Sequence, residues 1–205
     1  MKARTFVLPC IAFGVAVGLA CISLAVFGTG TRSIRHTLDL TARWSYLWFW
    51  LAYAGGALST LFGGPFQYLG KHRREFGLAF ASAHTIHFFL VLLLYYVSPS
   101  PPISTGGAVF FGIGLGFMYL MVVLSFRRIV ALLQPWLWPV VMFIGLEYIE
   151  YAFLTDFWVN PLHASAKQWM AYVPFALLGL LGTALRAMKG GYKVSRSVPI
   201  PMWQR

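Results

Sequence analysis

The stretch Phe76-Gly-Leu-Ala-Phe-Ala-Ser-Ala-His84-Thr-Ile-His87-Phe-Phe-Leu-Val-Leu-Leu-Leu-Tyr-Tyr-Val97 decides the fold. It carries no lysine, arginine, aspartate or glutamate. At about 1.5 Å per residue it is long enough to cross the roughly 30 Å apolar layer of a bilayer as a helix. Lys71, Arg73 and Arg74 precede it, and Ser98-Pro-Ser-Pro-Pro102, which cannot continue a helix, closes it. Two imidazoles inside such a run are expensive in lipid and are therefore candidates for function.

Working outward, five further apolar segments appear, at about 6–27, 44–62, 107–126, 136–154 and 169–185. Gly28-Thr-Gly30 and Gly63-Gly-Pro65 punctuate the first two, Gln134-Pro135 opens the fifth, and Gly190-Gly191 starts a basic tail. Met1-Lys-Ala-Arg4 resembles the start of a signal peptide, but the apolar run behind it exceeds the roughly 7–15 residues of one, so a retained helix is expected. The whole chain of 205 residues is 59% hydrophobic and 10% charged, with mean hydropathy +0.71. A soluble domain carries about 25% charged residues, so a soluble enzyme and a disordered chain are both excluded. The expectation is an all-α polytopic membrane protein, a single six-transmembrane-helix bundle over residues 1–205 with 186–205 as a basic cytoplasmic tail.

The net charge is +11. With the N-terminus inside, Lys2, Arg4, Lys71, Arg73, Arg74, Arg127, Arg128, Arg186, Lys189, Lys193, Arg196 and Arg205 lie inside, against Arg32, Arg35, Arg43 and Lys167 outside. That asymmetry places both termini in the cytoplasm by the positive-inside rule. The basic residues fall in loops, where they orient the chain and meet anionic lipid, and nucleic acid is not expected as a partner. Cys10 and Cys21 share the first segment, about 16 Å apart along a helix, so neither a disulfide nor a thiolate metal site is expected, and both read as packing residues.

Four ionisable groups fall within the spans. His84 and His87 stand i, i+3 on the third segment, and Glu147 and Glu150 stand i, i+3 on the fifth. Each pair shares a helix face. His87 lies 11 residues past Phe76 and Glu147 lies 11 past Trp136, so both sit about 16 Å deep, near the midplane. The two helices can then present imidazole and carboxylate to one another. Three chemistries suit such a set: a self-satisfied buried polar pair, an iron, zinc or manganese site, or a haem with an imidazole ligand. His36, His72 and His163 read as ordinary loop residues.

The run Arg73-Arg-Glu-Phe-Gly77-Leu-Ala-Phe-Ala-Ser-Ala-His84-Thr-Ile-His87 resembles the ferric reductase-like transmembrane domain family. It is most similar to the haem-binding membrane subunit that serves a bacterial periplasmic methionine sulfoxide reductase. The family pairs two arginines, then a glycine, then a haem-ligating histidine ten residues beyond, and Gly77 plus ten is His87. Leu40-Thr-Ala-Arg-Trp44 is similar to the family's Thr-Gly-Arg-Trp run ahead of the preceding helix. The likeness covers about residues 35–155. It implies a b-type haem with His87 as axial ligand, a bacterial inner membrane location, membrane or periplasmic protein partners, and contact with lipid and quinone.

The chain also departs from that pattern. The family's fifth helix carries further haem-ligating histidines, whereas here Trp138, Val140 and Tyr151 stand near those places. His84 and His87 are about 4.5 Å apart along the helix axis, too close for two stacked haems. One haem is the most the chain can take, its second ligand being absent, weak, or supplied by Glu147, His84 or another subunit. No glycine-rich dinucleotide fingerprint is present, so no flavin or nicotinamide site is expected in this chain. Two functions remain: a haem electron-transfer subunit, with Glu147 or Glu150 carrying protons or offsetting the ferric charge, and a haem-less accessory or assembly subunit of the same fold. The second draws on the glycine face Gly112-Ile-Gly-Leu-Gly116 for helix packing. A small transporter with a glutamate proton relay is a third reading.

Overall fold

A computed structural model describes residues 3–131, 134, 136–162 and 166–197. Among the described residues the regular structure is helical, with no strand. After a 3-10 turn at Ala3–Phe6, the long helices are α1 (Val7–Phe27), α2 (Thr31–Phe62), α4 (Arg73–Val97), α5 (Thr105–Val123), α7 (Leu137–Leu162) and α8 (Ala166–Ser197). Two short ones, α3 (Gln67–Lys71) and α6 (Arg127–Val130), sit in the connections. Five helical stretches are long and apolar enough to cross a membrane: Val7–Phe27, Arg73–Val97, Thr105–Val123, Leu137–Trp158 and Trp169–Gly191. Helix α2 is long enough as well, but its Trp and Tyr residues and its charged first turns lower its hydropathy.

The bundle is organised around α2, which packs against α1, α4 and α8. Its buried stripe begins as Ile34, Thr37, Thr41 and Ser45 and continues as Tyr46, Phe49 and Tyr53. Ile34, Thr37, Thr41 and Ser45 recur at three- and four-residue spacing on one face, and Tyr46, Phe49 and Tyr53 do so on the adjoining face. Helix α1 meets α4 through Ala12, Ala16, Ala79 and Ala83, small side chains that let two backbones approach closely. The Trp44 indole N–H donates to the Ala12 carbonyl at 2.9 Å, and the Trp50 indole donates to the Leu178 carbonyl at 2.7 Å. Both bonds tie α2 to a neighbour through a partner that lipid cannot supply.

Helix α7 packs on α5 and α8. The backbones of α4 and α7 stand further apart, and the Phe153 ring bridges them, lying 6.0 Å from Phe80 and 5.6 Å from His84 between centroids. The chain reverses between α2 and α3 at Gly63 and Gly64, whose φ values of 60° and 46° favour glycine. The Ser104 hydroxyl caps α5 by accepting from the Gly107 N–H at 3.1 Å.

Several expectations change. Helix α2 starts at Thr31, thirteen residues ahead of the expected 44, because residues 31–43 continue the buried stripe while Arg32 and Arg35 stay outside it. His36 is therefore a helix residue, its ring edge-on to Phe27 at 5.1 Å. Helix α8 runs through Gly190-Gly191 to Ser197, so the glycine pair ends no helix. Cys10 and Cys21 are exposed on the outer side of α1 and are not core packing residues. Within Gly112-Ile-Gly-Leu-Gly116, only Gly114 meets another helix, its Cα side facing Tyr148, while Gly112 and Gly116 border open space. The fifth segment, expected from 136, is α7 from Leu137, while Pro135, the loop residue His163 and the tail beyond Ser197 lie outside the described residues.

Candidate functional site

His84 and His87 both face α2. The His84 Nδ1 lies 3.0 Å from the Ser45 hydroxyl, and the His87 Nδ1 lies 3.2 Å from the Thr41 hydroxyl. Ser45 sits four residues after Thr41, as His87 sits three after His84, so two adjacent turns of α2 address two adjacent turns of α4. The hydroxyl protons have other acceptors: Ser45 donates to the Ala42 carbonyl at 2.9 Å, and Thr41 to the Thr37 carbonyl at 3.0 Å. With each hydroxyl proton committed to its own helix, the hydroxyl oxygen accepts and the imidazole Nδ1–H donates. This assignment follows from the hydrogen-bond network. It leaves the lone pair on Nε2. The His87 ring also has the Leu38 backbone carbonyl as a hydrogen-bond partner, and among the described residues no side chain bonds either Nε2. The two rings stack at 4.9 Å with their planes 22° apart, and both residues are half-buried.

The glutamates are engaged elsewhere. Glu150 is 1% exposed and accepts a hydrogen bond from the Tyr46 hydroxyl, 3.1 Å to Oε1 and 3.4 Å to Oε2. Glu147 accepts from the Tyr53 hydroxyl at 2.7 Å and pairs with Arg186, whose Nη2 lies 2.7 Å and Nε 2.9 Å from Oε1. The Arg186 guanidinium also lies over the Tyr53 ring, 4.4 Å from its centroid. Tyr46 and Tyr53 are seven residues apart on α2 and reach carboxylates three apart on α7, so the two Tyr–Glu bonds are stacked rungs between the same two helices.

The expected meeting of imidazole and carboxylate does not occur. Among the described residues no hydrogen bond or ion pair joins His84 or His87 to Glu147 or Glu150. Helix α2 takes the histidines on its Thr41/Ser45 side and the glutamates on its Tyr46/Tyr53 side. Among the described residues there is also no group of three or more His, Cys, Asp or Glu side chains able to hold one metal ion. A four-ligand iron, zinc or manganese site made of these two pairs is thus not formed.

The donors fit a haem only in part. His87 offers an oriented Nε2, as a single axial imidazole requires. Two nearly parallel rings from one helix face cannot take opposite sides of one iron, so His84 is not the second ligand. Glu147 is held by Arg186 and Tyr53, and Glu150 by Tyr46. On α7, Tyr151 and Val140 are 61% and 43% exposed, so neither occupies a buried ligand position.

Sequence reasoning missed the α2 partners. The sequence does not single out Tyr46 or Tyr53, and Arg186 counts there only as an inside charge. The signal that finds them is the two-turn spacing of the tyrosines, which repeats the face sharing of Glu147 and Glu150. No family model, curated protein or solved structure matches this chain.

Proposed function

We propose that the chain is a membrane-embedded electron-transfer subunit that takes one b-type haem on His87 and passes electrons to a partner protein. In this reading α2 is a sixth span and both termini are cytoplasmic, in a bacterial inner membrane. The observation that supports it most is the His87 imidazole, held through Nδ1 by the Thr41 hydroxyl and by the Leu38 carbonyl, with no side chain on Nε2 among the described residues. A hydroxyl behind the ring that fixes the tautomer and orients it is how proteins prepare a histidine ligand.

A haem bound there supplies one-electron chemistry whose potential depends on its ligand and its burial. The chain's own residues do the rest. Thr41 holds the His87 ring, Ser45 holds its neighbour, and the Tyr46–Glu150 pair offers a buried carboxylate oxygen at which a proton can rest beside the aromatic core. Haem extraction from the purified protein tests the reading. About one haem per chain is expected, and a preparation without haem overturns it.

A second reading, a haem-less accessory or assembly subunit, is supported by Phe153. Its ring stands against His84, in the space between α4 and α7, and α7 carries no histidine. Quinone, lipid and periplasmic partners are compatible with either reading.

A further inference from the structure

At the end of the bundle where α2 and α8 meet the start of α4, a cavity of about 390 Å³ is lined by Gly56, Ser59, Thr60, Gln67, Gly70, Lys71, Arg73 and Lys189. Three of these are cations and none is an acid. A second cavity, of about 480 Å³, shares Gly56, Arg73 and Lys189 with the first and extends along Ala57, Phe143 and Ala187. Its acid, Glu147, is already neutralised by Arg186 at 2.7 Å.

Arg73 is the centre of this arrangement. Its Nε donates to the Ala52 carbonyl at 3.0 Å, which pins the guanidinium against α2. Gly56 makes room for it, since a Cβ there would lie 2.9 Å from Nη1. No carboxylate pairs with this guanidinium among the described residues, and its terminal nitrogens are not enclosed. An arginine fork that is fixed, half-buried and without a counter-ion matches a phosphate group. The neighbouring Ser59 hydroxyl, the Gln67 amide and Lys71 add donors of the same preference, while the Thr60 hydroxyl donates to the Gly56 carbonyl at 2.8 Å.

We propose that the paired cavities bind a phosphate-bearing anion, the headgroup of an acidic phospholipid, with its phosphate on Arg73 and Lys71 and its apolar part along Ala57, Phe143 and Ala187. The polar-to-apolar sequence of the two linings follows the order of a lipid's own parts. Phe62, Tyr68 and Phe143 are exposed around this end, as expected of side chains at a membrane interface. The proposal is independent of the haem reading.

The test is native mass spectrometry of the full chain released from phosphatidylcholine bilayers doped with phosphatidylglycerol. One phosphatidylglycerol retained per chain in preference to phosphatidylcholine is expected. Arg73→Gln should weaken retention roughly fivefold, the factor equivalent to about 1 kcal/mol per cation at an acidic lipid surface, with Lys71→Gln acting in the same direction. Arg73→Lys should restore part of it. Arg32→Gln, on the far end of α2, should leave it unchanged. Circular dichroism verifies that each variant keeps its helix content. Equal retention by wild type and Arg73→Gln overturns the proposal. Binding of inorganic phosphate alone, with no lipid retained, overturns the lipid assignment.

Discussion

The Tyr46 hydroxyl donates to the Glu150 carboxylate at 3.1 Å in the centre of the bundle, with Glu150 1% exposed. A buried carboxylate needs its hydrogen bond, because an unsatisfied polar group in a membrane interior has no water to turn to. Tyr46→Phe removes the donor and leaves the acid orphaned, so a loss of about 1–3 kcal/mol is expected. The Tyr46→Phe/Glu150→Leu double variant should cost less than the sum of the single changes. Thermal denaturation in detergent, run as a double-mutant cycle, reads both numbers.

Gly179 lies at the point where α8 closes on that pair. A Cβ there would lie 2.6 Å from Leu154 Cδ2, 2.8 Å from Glu150 Oε1 and 2.9 Å from the Tyr46 hydroxyl. Gly179→Ala should therefore destabilise by about 1–3 kcal/mol through overpacking. Gly112→Ala and Gly116→Ala, which meet nothing within 4 Å, should be neutral or slightly stabilising. Melting temperatures of the three variants, compared in one detergent, check the ranking.

The Arg186–Glu147 pair is partly exposed, with side chains 18% and 34% accessible. Solvent screening limits the ion pair to roughly 0–1 kcal/mol. Arg186 also covers the Tyr53 ring at 4.4 Å, a contact worth about 0.5–1 kcal/mol. Arg186→Gln should thus destabilise more than Glu147→Gln, and the difference should persist at high salt. Denaturation at two ionic strengths separates the contributions.

The apolar spans were legible in the sequence because lipid demands long apolar runs and proline and glycine mark their ends. The first third of α2 was not, since Arg32, Arg35, Asp39 and Arg43 hide a buried stripe that only the spacing of Ile34, Thr37 and Thr41 betrays. The four ionisable residues were found because each is costly in a bilayer. Their partners were not, because periodicity tells which residues share a face but not which helix that face meets. Helix α2 takes the imidazoles and the carboxylates on different sides, and it is Phe153 of α7 that meets the His84 ring, so equal depth did not become contact between His87 and Glu147.

Thr41 acts on His87 and touches no other titratable side chain in the hydrogen-bond network. Thr41→Val keeps the shape and removes the hydroxyl acceptor, leaving the Leu38 carbonyl as the ring's remaining hydrogen-bond partner. Haem affinity should fall about 10-fold or more, as it does when a ligand's outer hydrogen bond is lost. Thr41→Ser should recover most of it. Haem titration into the stripped protein measures the effect, and unchanged affinity in Thr41→Val would remove the orienting role.

The most direct measurement is the reduced-minus-oxidised absorption spectrum of the purified chain beside its His84→Ala and His87→Ala variants. The expected result is a Soret shift with sharp α and β bands in wild type and in His84→Ala, both lost in His87→Ala. A colourless wild-type protein, or bands that survive in His87→Ala and vanish in His84→Ala, would contradict the assignment of His87 as the ligand.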